Sequence, residues 1–208
     1  MEQARKVYYK YLSDNWVLPE NRWVLSERTN VVLRDFPVSP CEFSTDLAPF
    51  VTEIIEKHGL EEWKAAVLTN EMHRHLGIYS LIGVKMGILA REILQAGLDE
   101  MVVESFTGFI PPVSCMADGL QVSTGASLGR GTIFIKDVKQ GEPVAVFIKS
   151  GQQIKLMLKR EYREHVDELI HSLSRNSPSD TEGYFDKIRN ISVKYWLELD
   201  RNDIFDIY

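Results

Sequence analysis

Apolar positions fall at helical spacing in the first part of the chain and in short β-prone runs further on. Leu47, Phe50, Val51, Ile54 and Ile55 recur at the intervals of one helix face, with Ser44-Thr45-Asp46 offering an N-cap and Gly59 a stop. Trp63, Ala66 and Val67 predict a second, short helix before Asn70. The strongest periodicity runs from Ile78 to Ala96, where Leu81, Val84, Ile88, Leu89 and Ile93 share a face and Gly97 follows. Glu100 to Phe106 predicts a buried strand, and Ser114 is placed to cap a helix through Cys115 to Val122. Beyond the glycine-rich segment Thr124 to Gly131 come three β-prone runs, 132–136, 144–149 and 153–158, divided by turn signals at 140–143 and 150–151. Strands that follow one another through short turns predict an antiparallel meander. Helices over about 160–174 and 182–199 complete the pattern.

This order of elements defines an α+β chain, a mixed β-sheet with an antiparallel meander packed against helices. Residues 1–45 read as an N-terminal arm: a short aromatic helix over 1–12, then an irregular stretch broken by Pro19, Pro37 and Pro40. The α+β domain then occupies 46–175 and a helical extension 176–208.

Composition narrows the class. At 208 residues, 44% hydrophobic and 26% charged, the chain has the make-up of a folded globular protein, not of a disordered or collagenous one. A net charge of −6 argues against a protein that tracks nucleic-acid phosphates. Two cysteines, Cys41 and Cys115, build neither a disulfide framework nor a four-cysteine zinc module. The N-terminal segment lacks the apolar core of a signal peptide, and Lys85 stops the greasiest stretch, 78–84, well short of the ~20 residues a membrane span requires. The cytoplasm, with both thiols reduced and neither membrane nor nucleic acid as partner, is the expected setting.

The candidate chemistry sits in three places. His73 and His75 lie just before the strongest helix, where the chain is expected to be non-helical. Residues two apart on a helix point about 200° apart. In an extended or turn conformation both project to one side, roughly 6–7 Å apart at Cα, which suits two Zn–N bonds of ~2.0 Å. On spacing alone, two loop histidines with unrelated partners are the better reading. Cys115 is expected in the first turn of its helix, where free N–H groups favour a thiolate, either a soft ligand or a nucleophile; as a structural residue it is simply a small buried hydrophobe. Asp118 and Gln121 follow on the same helix face. The glycine-rich run leads into a strand rather than a helix, so it is no phosphate loop, although Arg130 remains able to clamp a carboxylate or phosphate of a small ligand. His58, His165 and His171 are expected to be solvated surface groups.

His73-x-His75 entering a helix, then a strand, Cys115-x-x-Asp118-Gly-Leu-Gln121, Thr124-Gly-x-x-Leu-Gly-x-Gly131 and a hairpin together resemble the FmdE family, named for formylmethanofuran dehydrogenase, over roughly residues 65–172. The resemblance implies an α+β domain with a mixed sheet, a homodimer and a bound zinc or similar divalent transition metal. It carries His73, His75 and Cys115 over as ligands, with Asp118, Gln121 and Arg130 around them or on a substrate. Members of the family usually read His-Gly-His-x-Cys-Pro-Gly in the first motif and carry a cysteine in the glycine-rich turn. Here Arg74 replaces the glycine, Gly77 the first cysteine and Ala126 the second, and no C-terminal zinc ribbon can be built.

The function expected is therefore metal binding, in one-carbon or metallo-oxidoreductase metabolism, with a small-molecule ligand possible at an open coordination position. Two alternatives stand beside it: a metal-free thiol enzyme using Cys115 with a histidine base, and a non-catalytic module that binds a partner through the aromatic arm between Tyr8 and Trp23.

Overall fold

The computed structural model describes residues 33, 35–176 and 182–208, so the expected N-terminal helix and aromatic arm lie outside the described residues. After two 3-10 turns at Pro40–Glu42 and Ala48–Phe50 come α1 (Val51–His58), α2 (Leu60–His73) and α3 (Ile78–Leu94). They are followed by β1 (Val102–Ser105), α4 (Met116–Thr124), β2 (Ile133–Ile135), β3 (Val144–Lys149) and β4 (Gln152–Leu158). α5 (Arg160–Asn176), α6 (Glu182–Glu198) and β5 (Phe205–Ile207) close the chain. Gly59, at φ +87°, separates α1 from α2, a conformation that side chains rarely tolerate. Ser44 and Asp46, expected to cap α1, instead hold the guanidinium of Arg189 on α6.

The five strands form one sheet in the order β2-β1-β3-β4-β5. The fold is α+β, as the pattern predicts, but the meander is narrower than expected. β2 pairs parallel with β1, with Val103 opposite Ile133, because α4 intervenes and returns the chain in the same direction. The antiparallel part comprises β1 against β3, the β3–β4 hairpin and β5 against β4. β5 has no counterpart in the sequence expectation.

The helix over 78–94 differs from expectation in being buried nearly all round, not along one face; of the face proposed for it, Ile93 is the exposed member. One core cluster joins Ile82, Met86 and Leu89 of this helix to Leu120 of α4 and to Val103, Phe147 and Leu156 of the sheet. A second joins Leu81, Val84 and Ile88 to Val51, Ile54, Trp63 and Trp196. α3 is thus the middle layer, with the sheet on one side and α1, α2 and α6 on the other. α4 lies directly on α3 because glycines face the contact. A Cβ at Gly119 would overlap the Ser80 carbonyl oxygen, and one at Gly83 that of Met116. That close approach brings the start of α4 to the start of α3, where the histidines are. Among the described residues, no helix is long and apolar enough to cross a membrane.

A buried ionic cluster crosses the helical layer. Lys85, 1% exposed, donates a 2.6 Å hydrogen bond to Oε1 of Glu62, which is equally buried. Arg201 donates to Oε2 of Glu62 at 3.2 Å, to the His58 carbonyl at 2.9 Å and to both oxygens of Glu92. His58, expected at the surface, is also buried, its Nε2 donating to the Leu197 carbonyl at 3.2 Å. Position near a helix end suggested solvent; packing of α6 over α1 removed it.

Candidate metal centre

His73 is the last residue of α2, not part of a loop as the spacing had suggested. Arg74 then turns the chain through the left-handed region, at φ +69° and ψ 5°. This one residue reverses the geometry expected of a helix. Instead of diverging, the rings of His73 and His75 come together with centroids 4.3 Å apart. An L-residue in this conformation is disfavoured by about 1–2 kcal/mol, a cost that glycine does not bear.

α4 supplies the partner. Nδ1 of His73 donates a 2.7 Å hydrogen bond to Oδ2 of Asp118, and the two side chains are 11% and 33% exposed. In the neutral ring with its proton on Nδ1, Nε2 would carry a free lone pair. That atom is buried and has no hydrogen-bond partner. A buried nitrogen without a partner is costly unless something occupies its lone pair. Burial first and the adjacent His73 second hold the His75 ring below its ordinary value, with a hydrogen bond to the His73 backbone acting the other way. Its ring meets Phe185 of α6 edge-on at 5.0 Å.

Both histidines and Cys115 line one small cavity of about 50 Å³, together with Tyr184 and Ile188 of α6 and Ile170 of α5. At roughly 10–15 Å³ per water, that is room for a few water-sized groups and not for a large substrate. The C-terminal helices that wall it were no part of the expected site, since only their amphipathic pattern was visible in sequence.

Cys115, the last residue of the 3-10 turn Val113–Cys115, sits at the N-cap position of α4, in the place given to Ser114 by sequence. The thiolate expected from that position is not favoured. Burial, and then the carboxylate of Asp118, push the thiol up to about 11. The dipole of a nine-residue helix is outweighed by desolvation and a neighbouring negative charge.

The remaining candidates are engaged elsewhere. Gln121 accepts a 3.4 Å hydrogen bond from the Leu128 amide and so braces the glycine-rich turn. Arg130 is ion-paired with Asp99 and donates to the Gly125 carbonyl at 3.3 Å. Neither lines the histidine cavity. Among the described residues, no three His, Cys, Asp or Glu side chains are grouped as a metal site. The structure gathers two imidazoles and a thiol on one small cavity.

Gly77 is part of the same geometry. A Cβ built there would lie 3.3 Å from Nε2 of His75 and 3.6 Å from Cδ2 of His73. This is the position at which the resemblance leads one to expect a cysteine.

The family model described as "FmdE, Molybdenum formylmethanofuran dehydrogenase operon" matches residues 72–206. The match opens at the histidine pair and runs past residue 172 through α6 into β5. A stretch of 93 residues is 28% identical to a protein of Archaeoglobus fulgidus described as a probable S-adenosyl-L-methionine-binding protein. That stretch is 44% of this chain and 25% of the relative, so the chain matches about a quarter of that protein's length.

Proposed function

We propose that this chain, which belongs to the FmdE family, is a metal-binding protein that holds a divalent ion on the imidazoles of His73 and His75. The observation that carries this reading is Nε2 of His73, buried without a partner while Asp118 grips the opposite nitrogen. A carboxylate on the far side of a ligating histidine fixes its tautomer and orientation and raises its basicity. Two nitrogens with a neighbouring thiol suit zinc better than hard cations such as magnesium or calcium.

Cys115 is the third donor in this reading, and Asp118 orients without ligating. A bound ion with open positions supplies Lewis acidity, polarising a carbonyl or activating water. The cavity limits what approaches it to a small polar group. The family description points to one-carbon or metallo-oxidoreductase metabolism as the setting, and the free thiols of Cys41 and Cys115 suit a reducing cytoplasm. A homodimer belongs to the same reading.

Zinc content of protein produced without a histidine tag tests it. About one ion per chain is expected, lost on His73→Ala and on His75→Ala. Sub-stoichiometric zinc that His75→Ala leaves unchanged would overturn the proposal.

A further inference from the structure

Packing alone holds the histidine turn poorly. Two cavities, of about 50 and 410 Å³, adjoin it, and His75 lines both. Of the residues between α2 and α3, Leu76 reaches the core cluster of Trp63 and Leu81, while Arg74 is exposed and left-handed. A residue keeps so disfavoured a conformation only where its surroundings over-determine the backbone.

One side chain supplies that restraint. Asn70, in the last turns of α2, donates from Nδ2 to the Ala66 carbonyl at 2.7 Å, which fixes the orientation of its amide. Its Oδ1 then accepts the backbone N–H of Gly77 at 3.2 Å and lies 2.8 Å from the Ser80 hydroxyl. The same hydroxyl is 2.8 Å from the Gly77 carbonyl. Gly77 is the N-cap of α3 and has no side chain to make such bonds itself. Asn70 thus ties the end of α2 to the first turn of α3 and closes a loop, 70–77, that contains both histidines. Gly77 and Ser80 are buried, so an N–H deprived of this acceptor would be left unpaired away from water.

We infer that Asn70 is the positioning residue of the site. Its amide holds the 74–76 turn in the conformation that brings the rings of His73 and His75 to 4.3 Å, and so prepares the pair for an ion. That the pair is prepared for an ion rests on the function proposed above; that Asn70 holds the rings together does not. The match to the family model begins at residue 72, so Asn70 lies outside it.

The test starts from the full chain stripped of metal by chelator. Rings this close are expected to give a through-space NMR contact between their carbon-bound protons, with His73→Ala and His75→Ala assigning the two imidazoles. Asn70→Ala removes the acceptor while favouring the helix it stands on, and is expected to lose the contact with the fold retained. Asn70→Asp, which keeps an acceptor, is expected to retain it. Ile88→Val lowers stability at a buried position about 16 Å further along α3 and is expected to retain it too, which separates positioning from general loosening. Zinc affinity, measured by competition with a chromophoric chelator, is expected to fall by about 10–100-fold in Asn70→Ala and to hold in the other two variants. The inference is overturned if the metal-free wild type lacks the ring contact, if Asn70→Ala keeps it, or if Asn70→Asp or Ile88→Val loses it as readily. A lost contact with unchanged zinc affinity would refute the preparation for an ion. Wild-type protein that takes up no zinc would instead end the function proposed above, and the ring contact would still decide the place of Asn70.

Discussion

Asp118, on the first turn of α4, accepts a 2.7 Å hydrogen bond from His73, the last residue of α2. Forty-five positions separate them in sequence, and the contact exists because α4 rests on α3 through Gly83 and Gly119. The carboxylate holds a proton on Nδ1 of His73 and turns Nε2 toward the other side of the ring.

Removing that carboxylate tests its role. Asp118→Ala is expected to weaken zinc binding by about 10–100-fold, measured by competition with a chromophoric chelator, with the folded structure retained. An unchanged affinity would reduce Asp118 to a surface partner of His73.

Gly77→Cys is expected to strengthen binding by about tenfold or more, because a thiolate joins the two nitrogens. The backbone at Gly77, at φ −112° and ψ 147°, admits any side chain. The nearest obstacle is Oγ of Ser80 at 3.1 Å from the added Cβ, a group able to rotate aside. Loss of binding in this variant would mean that the two imidazoles do not face a common ion.

The ionic cluster under α3 offers a stability test away from the site. Lys85→Met leaves Oε1 of Glu62 buried without its partner and is expected to cost about 3–5 kcal/mol, read as a drop in the urea midpoint. The paired change Glu62→Leu with Lys85→Met removes both charges and is expected to recover most of the loss. A double variant no better than the single one would show that the charges stabilise the packing of α2 on α3 beyond their mutual pairing.

His58 sets a pH dependence. Burial chiefly, and then the nearby Lys85, hold its ring below its ordinary value of 6.5, while Glu62 and the Leu197 carbonyl act against them and Lys57 adds to the lowering. The folded protein therefore binds fewer protons than the unfolded chain below pH 6.5. The stabilisation is complete above that pH and declines as pH falls through it, by at most about 1.4 kcal/mol per unit for one group. His75, lowered in the same direction, contributes with the same sign. Urea unfolding between pH 7.5 and 5.5 is expected to show the decline (range chosen to bracket roughly one unit each side of the free imidazole). His58→Gln, which keeps a donor for Leu197, is expected to make it shallower. Equal slopes in the two proteins would assign the effect to other groups.

Local sequence determined most of the secondary structure and the residue types of the site. Apolar spacing from 78 to 96 and the runs at 144–149 and 153–158 mark elements whose cause lies in neighbouring residues, and Asp118 stands on its short helix with Cys115 at the N-cap. The parallel placement of β2, the addition of β5 and the burial of His58 and Lys85 depend on which surfaces meet, and no local pattern encodes that. The same distinction divides the site. Sequence supplied two histidines, a thiol and a carboxylate. Tertiary structure decided that Arg74 turns the two rings together, that Asp118 takes one nitrogen of His73 and leaves the other without a partner, and that burial raises the Cys115 thiol above its ordinary value. Hydrogen bonds and desolvation depend on distance in space, and folding alone sets those distances.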